Sequence, residues 1–304
     1  MDTDGREYHL STVEVGGFIT ELQRQITNVM ENNPGWGIRA VARHVGCDHT
    51  TVLNTLYRHP IEALTKHQEI IAPKVVSHNI FSGDGIITAD HHNPCADLYY
   101  VECAIEEGKK HKIRTLYDVG DFFNFDALSN YARKIGGDNK LPKLTDELDF
   151  GYGVLKLYSS WFDKIYLCIG NHEGRYAKAV SNALGYKEIV KVFELPKVKV
   201  IEDNYIIIDG IRFSHPRSYS QIKLSVARRL TEKFMMPTYM AHGHFGDIGF
   251  ASNGLRCGDI PCMCDPDRIQ YLQGGDTTHP FWNQGFLIFE DGQIYMRAKG
   301  YGIK

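Results

Sequence analysis

Eight polar side chains stand just beyond apolar runs: Asp90, His92, Asp121, Asn171, His172, His215, His242 and His244. Two carboxylates, one amide and five imidazoles form a donor set for borderline divalent ions such as Mn2+, Fe2+ or Zn2+. It differs from the oxygen-only shells that Ca2+ and Mg2+ prefer. A single histidine of this kind is most often a core or surface residue, but five at successive strand ends are hard to dismiss. Arg175 and Arg217 each follow one of these positions by a few residues, and a guanidinium matches a phosphate in bidentate fashion. His91, between two of the set, is expected to point away and serve structure.

The elements that must deliver these groups can be read from the runs before them. GIITA at 85–89 ends on Asp90, 112–119 ends on Gly120 and Asp121, and 164–169 ends on Gly170, Asn171 and His172. Helical stretches, the first at 95–108, separate them, so buried parallel strands alternate with helices and present polar residues at their carboxyl ends, where open α/β sheets place active sites. A hairpin-like pair follows at 205–209 and 211–215, then a helix at about 218–234 and a run at 238–241 that ends on His242 and His244. A last pair, 285–290 and 293–298, turns at Asp291-Gly292. The stretch 251–283 reads as irregular and long, a lid or substrate lip. Within it Tyr271, Phe281 and Trp282 are placed to stack on a base or to anchor the loop. Cys257, Cys262 and Cys264 are spaced C-x4-C-x-C, a poor match to structural zinc sites even with His279 nearby, and read as thiols that fill gaps.

The ordered set Asp90-x-His92, Gly120-Asp121, Gly170-Asn171-His172-Glu173, His215 and His242-Gly243-His244 resembles the five-part signature of the calcineurin-like metallophosphoesterases, which include the purple acid phosphatases and the Mre11/SbcD nucleases. The resemblance covers roughly residues 84 to 300. It implies an α/β fold, a four-layer α/β/β/α sandwich, around two divalent metal ions, Mn2+ foremost, with Fe2+ or Zn2+ as alternatives. Asp90, His92 and His244 would hold one ion, Asp121 would bridge, and Asn171, His215 and His242 would complete the second. The reaction implied is phosphoester hydrolysis by metal-activated hydroxide, with Asp121, Asn171 and His172 as the catalytic residues and His172 donating a proton or stabilising phosphate. Glu173 would orient His172 or another ligand. The sequence departs from the common pattern at Asn124, where many members carry aspartate, and at Ala241, where glycine is usual; neither change removes a ligand.

Before residue 80 the chain reads helical. Ile19, Leu22, Ile26, Val29 and Met30 mark one helix, Ile38 to Val45 a second ending at Gly46, and Asp48 caps a third that carries Val52, Leu53 and Leu56. The run Ile38 to Leu56 resembles a helix-turn-helix, with Arg39, Arg43, His49, Thr50, Thr51, Asn54 and Arg58 placed for DNA. The competing reading is a packing or dimerisation module. The expected organisation is therefore a helix-turn-helix-like domain at 1–60, a linker at 61–83 and a catalytic domain at 84–304 with the 251–283 insertion.

Composition restricts the partners. The 304 residues carry 34 basic and 37 acidic side chains, a net charge of -3, which fits neither a polybasic wrapper nor an acidic tail. No apolar run is long enough to span a membrane, the start of the chain is too polar for a signal peptide, and seven scattered cysteines suit reduced thiols. A cytoplasmic protein that does not engage membranes is expected, with dimers in prospect. Helices of this type beside a phosphoesterase favour DNA as substrate, a nuclease of the kind found in phages and mobile elements. The alternatives are a phosphomonoesterase or small-molecule phosphodiesterase whose helices mediate oligomers, and a DNA-binding regulator with a vestigial catalytic domain. The last is disfavoured because every expected ligand is present.

Overall fold

The computed structural model describes residues 21–33, 36–49, 51–52, 79–129, 141–179, 185–269, 272, 282–299 and 302–303. The chain divides into two compact units, Met1–Lys74 and Val75–Lys304.

In the first unit, α1 (Glu21–Asn32) and α2 (Ile38–Val45) pack through Ile26, Met30, Val41 and Ala42, with Val52 joining them. Gly46 ends α2 in the left-handed region at φ 75°, which a Cβ would penalise. Asp48 accepts the Thr51 backbone N–H at 3.0 Å and the Thr51 hydroxyl at 2.7 Å, so Thr51 serves the helix start that the sequence assigns to Asp48. Arg39, Arg43 and His49 are exposed, as a nucleic-acid contact requires. Thr50, Asn54 and Arg58 lie outside the described residues, and with them most of the expected third helix.

In the second unit, one sheet runs through β2 (Gly85–Thr88), β3 (Thr115–Asp118), β4 (Lys164–Cys168) and β5 (Val198–Ile201), all parallel. It continues on the other side of β2 through β11 (Gly285–Glu290), β12 (Gln293–Lys299) and β13 (Gly302–Ile303). The other sheet has the order β1 (Ile80–Phe81), β6 (Tyr205–Ile208), β7 (Ile211–Ser214), β8 (Thr238–Met240), β10 (Arg256–Asp259) and β9 (Asp247–Phe250). The central strands β2 and β11 are buried on both faces because both faces are covered. Ile86, Leu116 and Ile165 pack outward on α3 (Leu98–Lys110) and α4 (Leu144–Ser159), whereas Ile87, Tyr117, Leu287 and Phe289 meet Ile206, Phe213 and Tyr239 of the second sheet. Val226 and Ala227 of α5 (Ser225–Phe234) cover the far face through Met240 and Cys257. The result is the α/β/β/α sandwich.

Two expectations need correction. Ile80–Phe81 lies within the expected linker but pairs in parallel with Ile207 and Ile208; two residues are too short to show alternation. The expected irregular lip contains β10, which pairs with both β8 and β9, and Ile260 to Cys264 behind it are buried. Its glycine and cysteines masked a strand: Gly258 is required because a Cβ there would strike the Tyr239 ring. Tyr271, His279 and Phe281 lie outside the described residues.

Candidate metal centre

The carboxyl ends of β2, β3 and β4 and those of β7 and β8 converge, and the loops that follow are tightly bent. Asp90, His92, Asp121, His242 and His244 all have positive φ, from 49° to 76°, an uncommon backbone state for residues with a Cβ. Such strain concentrates where side chains must be aimed. Glycine permits the closest approach. A Cβ on Gly170 would collide with the backbone and carboxylate of Asp121, and Gly120 has φ 97° with Gly170 against it.

Asn171, His215 and His242 line a cavity, and the other four expected metal ligands, Asp90, His92, Asp121 and His244, are buried beside them. Asp90 Oδ1 lies 3.0 Å from His244 Nε2 and 3.9 Å from His92 Nε2, and those two nitrogens are 3.4 Å apart. Asp121 Oδ2 lies 3.2 Å from His215 Nε2, which is 3.0 Å from Asn171 Oδ1. Asp121, His215 and His242 each offer a donor atom within 4.8 Å of the others. Asp121 therefore stands between the two groups.

The far sides of His92, His215, Asp90 and Asp121 are held by the protein. His92 Nδ1 meets Asn124 Oδ1 at 3.2 Å, and His215 Nδ1 meets the Val119 carbonyl at 3.0 Å. Each contact turns the opposite ring nitrogen towards the cavity, as ligating histidines require. Asp121 Oδ1 accepts the His172 N–H at 2.8 Å, and Asp90 Oδ2 accepts the His242 N–H at 3.0 Å. Their other oxygens, Asp90 Oδ1 and Asp121 Oδ2, are buried and, among the described residues, meet imidazole nitrogens alone, at 3.0 Å from His244 and 3.2 Å from His215. A carboxylate oxygen left in that state is costly unless a cation takes it.

Charge points the same way. Burial alone would raise the Asp90 carboxyl, but His244 and His215 hold it well below the usual range; Asp121 is likewise held down against burial by His172 and His215. Burial keeps His92 and His242 neutral, at about 3 and about 4, the form that ligates. Against burial, Asp121 lifts His215 to about 10, and Asp90 lifts His244. Two ionised carboxylates balanced by protonated imidazoles form a set in which divalent cations exchange for protons. The residues present fit such ions.

His172 lies beside the cavity, its Nε2 3.7 Å from Asp121 Oδ2 and its Nδ1 2.9 Å from the Asn124 carbonyl. Arg175 approaches His172 Nε2 at 2.9 Å and bonds the Asn124 carbonyl at 2.8 Å and Asp126 at 2.9 Å. Burial lowers the His172 pKa well below its usual value, with His92 and Arg175 adding to the effect. Arg175, expected on the substrate, thus positions His172. Arg217 is exposed and lines a cleft of about 690 Å³ together with Lys178, Asn171, His215 and His242. His91 turns away, to Asp118 at 2.9 Å and the Tyr158 hydroxyl at 2.8 Å. Glu173 contacts backbone where the sequence suggested His172. It accepts N–H groups of Asp121, Phe123 and Gly170 at 3.1, 3.1 and 2.8 Å, which braces two ligand loops. Burial and the neighbouring Asp121 push that carboxyl up to about 8.

Sequence reasoning missed the Asn124 grip on His92, although it flagged Asn124 as unusual, and it missed Lys178, which carries no local signal. It also missed Cys264, which lies with His92 and His244.

No curated protein matches the chain. Among solved structures, a single mutant of Vps29 from Entamoeba histolytica is similar at 9% identity over 71% of this chain and 98% of that one, with a TM-score of 0.34. The nuclease MPE of Pseudomonas putida is similar at 12% identity over 70% and 87% of the two chains, with a TM-score of 0.30. Residues 86–252 match the family model for calcineurin-like phosphoesterase, a span that takes in the strand ends from Asp90 to His244 and more than half of the sequence. With that match laid over the converging loops just described, the chain belongs to the calcineurin-like phosphoesterase family.

Proposed function

We propose that this phosphoester hydrolase is a phosphodiesterase that cleaves DNA and uses two divalent metal ions. The observation that carries the hydrolytic reading is the pair of buried carboxylate oxygens, Asp90 Oδ1 and Asp121 Oδ2, which among the described residues face only histidine nitrogens. Asp90, His92 and His244 would hold one ion, Asn171, His215 and His242 the other, with Asp121 between them. Ions held there supply Lewis acidity towards phosphoryl oxygens and lower the pKa of water.

The chain's own residues do the rest. Arg217 and Lys178, on the cleft wall, attract the phosphate and hold it over Asn171 and His242. His172, with Nδ1 directed at the Asn124 carbonyl and Nε2 beside the Arg175 guanidinium, stands with that guanidinium next to Asp121, where the pair stabilises the phosphate as its leaving oxygen departs. Arg175 keeps that imidazole neutral and fixed. Asn124 and Glu173 hold the ligand loops at the geometry the reaction needs.

DNA is favoured by the first unit, whose exposed Arg39, Arg43 and His49 surround a small helical core. Tethering such a unit to the hydrolase raises the local concentration of DNA at the centre. The mixed lining of the cleft, with Glu202 and Asp203 beside Lys178 and Arg217, favours a small phosphodiester as the second reading. The test is hydrolysis of end-labelled single- and double-stranded DNA and of a generic phosphodiester, with Mn2+ added to chelator-treated protein and His172→Ala as the control. Cleavage of DNA that the variant loses supports the nuclease. Hydrolysis of the generic ester with DNA left intact overturns it.

A further inference from the structure

The segment behind β10 runs between the first ligand loop and the start of β11. Met263 donates its N–H to the Ala89 carbonyl at 3.0 Å, Asp97 donates to Met263 at 2.9 Å, and Asp265 donates to Cys95 at 2.8 Å. Ala96 and Cys264 face each other as an isolated β-bridge. The strip is thereby fixed against the loop that carries Asp90 and His92. Extended backbone sends alternate side chains to opposite sides. Met263 enters the outer core with Phe122 and Phe286, while Cys262 and Cys264 turn the other way.

The three thiols of that cluster have different surroundings. The Cys95 sulfur is 3.3 Å from the Arg268 carbonyl, an ordinary weak donor in a packed interior, whereas the Cys262 sulfur is 3.5 Å from the Asn283 carbonyl and 3.8 Å from the Cys264 carbonyl, beside Cys264 itself. Cys264 is completely buried, and its Sγ, a ring nitrogen of His92 and a ring nitrogen of His244 all lie within 4.8 Å of one another. The buried Oδ1 of Asp90 points at the same two imidazoles. The inner position is thus bordered by one carboxylate oxygen, two nitrogens and one sulfur. The outer position, at Asn171, His215 and His242, has oxygen and nitrogen only.

We infer that Cys264 contributes its thiolate as a further ligand to the ion held by Asp90, His92 and His244, which makes the inner position selective for zinc or ferrous iron. The inference rests on the metal-centre reading given above. On binding, the S–H bond breaks, the metal–sulfur bond forms and the proton leaves to solvent. A soft sulfur favours Zn2+ or Fe2+ over Mn2+ and Mg2+, whereas the outer donors suit Mn2+ equally well. The two positions therefore differ in kind, and a preparation supplied with both metals would fill them unequally.

The test is zinc X-ray absorption on the whole chain reconstituted with Zn2+, alongside Co2+ binding followed by near-ultraviolet absorption. The expected result is a zinc–sulfur distance of about 2.3 Å and a sulfur-to-cobalt charge-transfer band. Both should be lost in Cys264→Ser and kept in Cys262→Ser and Cys95→Ser. The unsubstituted protein decides the matter even where a variant fails to fold. Zinc bound in it with nitrogen and oxygen neighbours alone would overturn the thiolate ligand and leave the metal centre standing. Sulfur that persists in Cys264→Ser would overturn the assignment to Cys264. A chain that takes up no zinc and no cobalt would sink the metal centre, and the ligand with it.

Discussion

Asp90, His92 and His244 are each no more than 3% exposed, whereas Asn171 and His242, which close the other half of the centre, are only half-buried and form the floor of the cleft. The inner half is walled by the ring of Trp282, whose centroid lies 3.9 Å from that of His244, and by the strip that carries Cys264. The outer half opens towards Lys178 and Arg217. The contrast teaches a division of labour: an ion in the inner half would act as part of the fold, and one in the outer half would meet substrate and water. Asp121 joins the halves, since its carboxylate lies with His92 on one side and with His215 and His242 on the other.

The largest expected effect comes from breaking that junction. Asp121→Asn should reduce phosphodiester hydrolysis by more than the roughly 10–100-fold typical of residues around a metal's ligands; steady-state rates at saturating metal would show it. A smaller loss than this would mean that the halves work separately. Asn124→Ala should fall within that 10–100-fold range in metal affinity, because it releases His92 Nδ1 and leaves the outer half untouched. Competition with a zinc-binding dye measures it.

Stability should separate the halves next. His244→Ala is expected to lower folding stability by about 2 kcal/mol and His242→Ala by about 0.5 kcal/mol or less, following the usual difference between buried and more exposed positions. Denaturant midpoints in the presence of chelator test this, and equal losses would contradict the depth contrast. The smallest effect is one of pH. Arg175 helps to depress the His172 pKa, so Arg175→Gln should let it rise, and the acid side of the rate profile should move to higher pH. The direction follows because the Arg175 charge disfavours protonated His172, and without that charge the neutral form is lost at a higher pH. A profile that moves to lower pH would reverse the assigned role.

How far the sequence reveals this depends on the range of the interaction. Asp90, His92, Asp121, Asn171, His215, His242 and His244 are legible because each ends an apolar run, and a run of buried residues is a local signal. The parallel strands are legible for the same reason, as is the Asp291-Gly292 turn. The bonds of Arg175 to Asn124 and Asp126 are not legible, because proximity in sequence to a ligand says nothing of partners that come from another loop. Cys264 is illegible as a ligand because one of its neighbours, His92, belongs to the first ligand loop, far away in sequence, while β9 and β10, in which two glycines and two aspartates interrupt any apolar pattern, hide the strand that carries it into place. Glu173 shows the same limit: its partners are backbone amides, which no side-chain pattern can advertise.

The most direct test of the account is to measure metal content and phosphodiester hydrolysis on the same preparation while a chelator strips it. The account predicts two ions per chain at full rate, early loss of the outer one together with the activity, slower loss of the inner one, and recovery when divalent metal is restored. Undiminished hydrolysis by a chain from which all metal has been removed would contradict it.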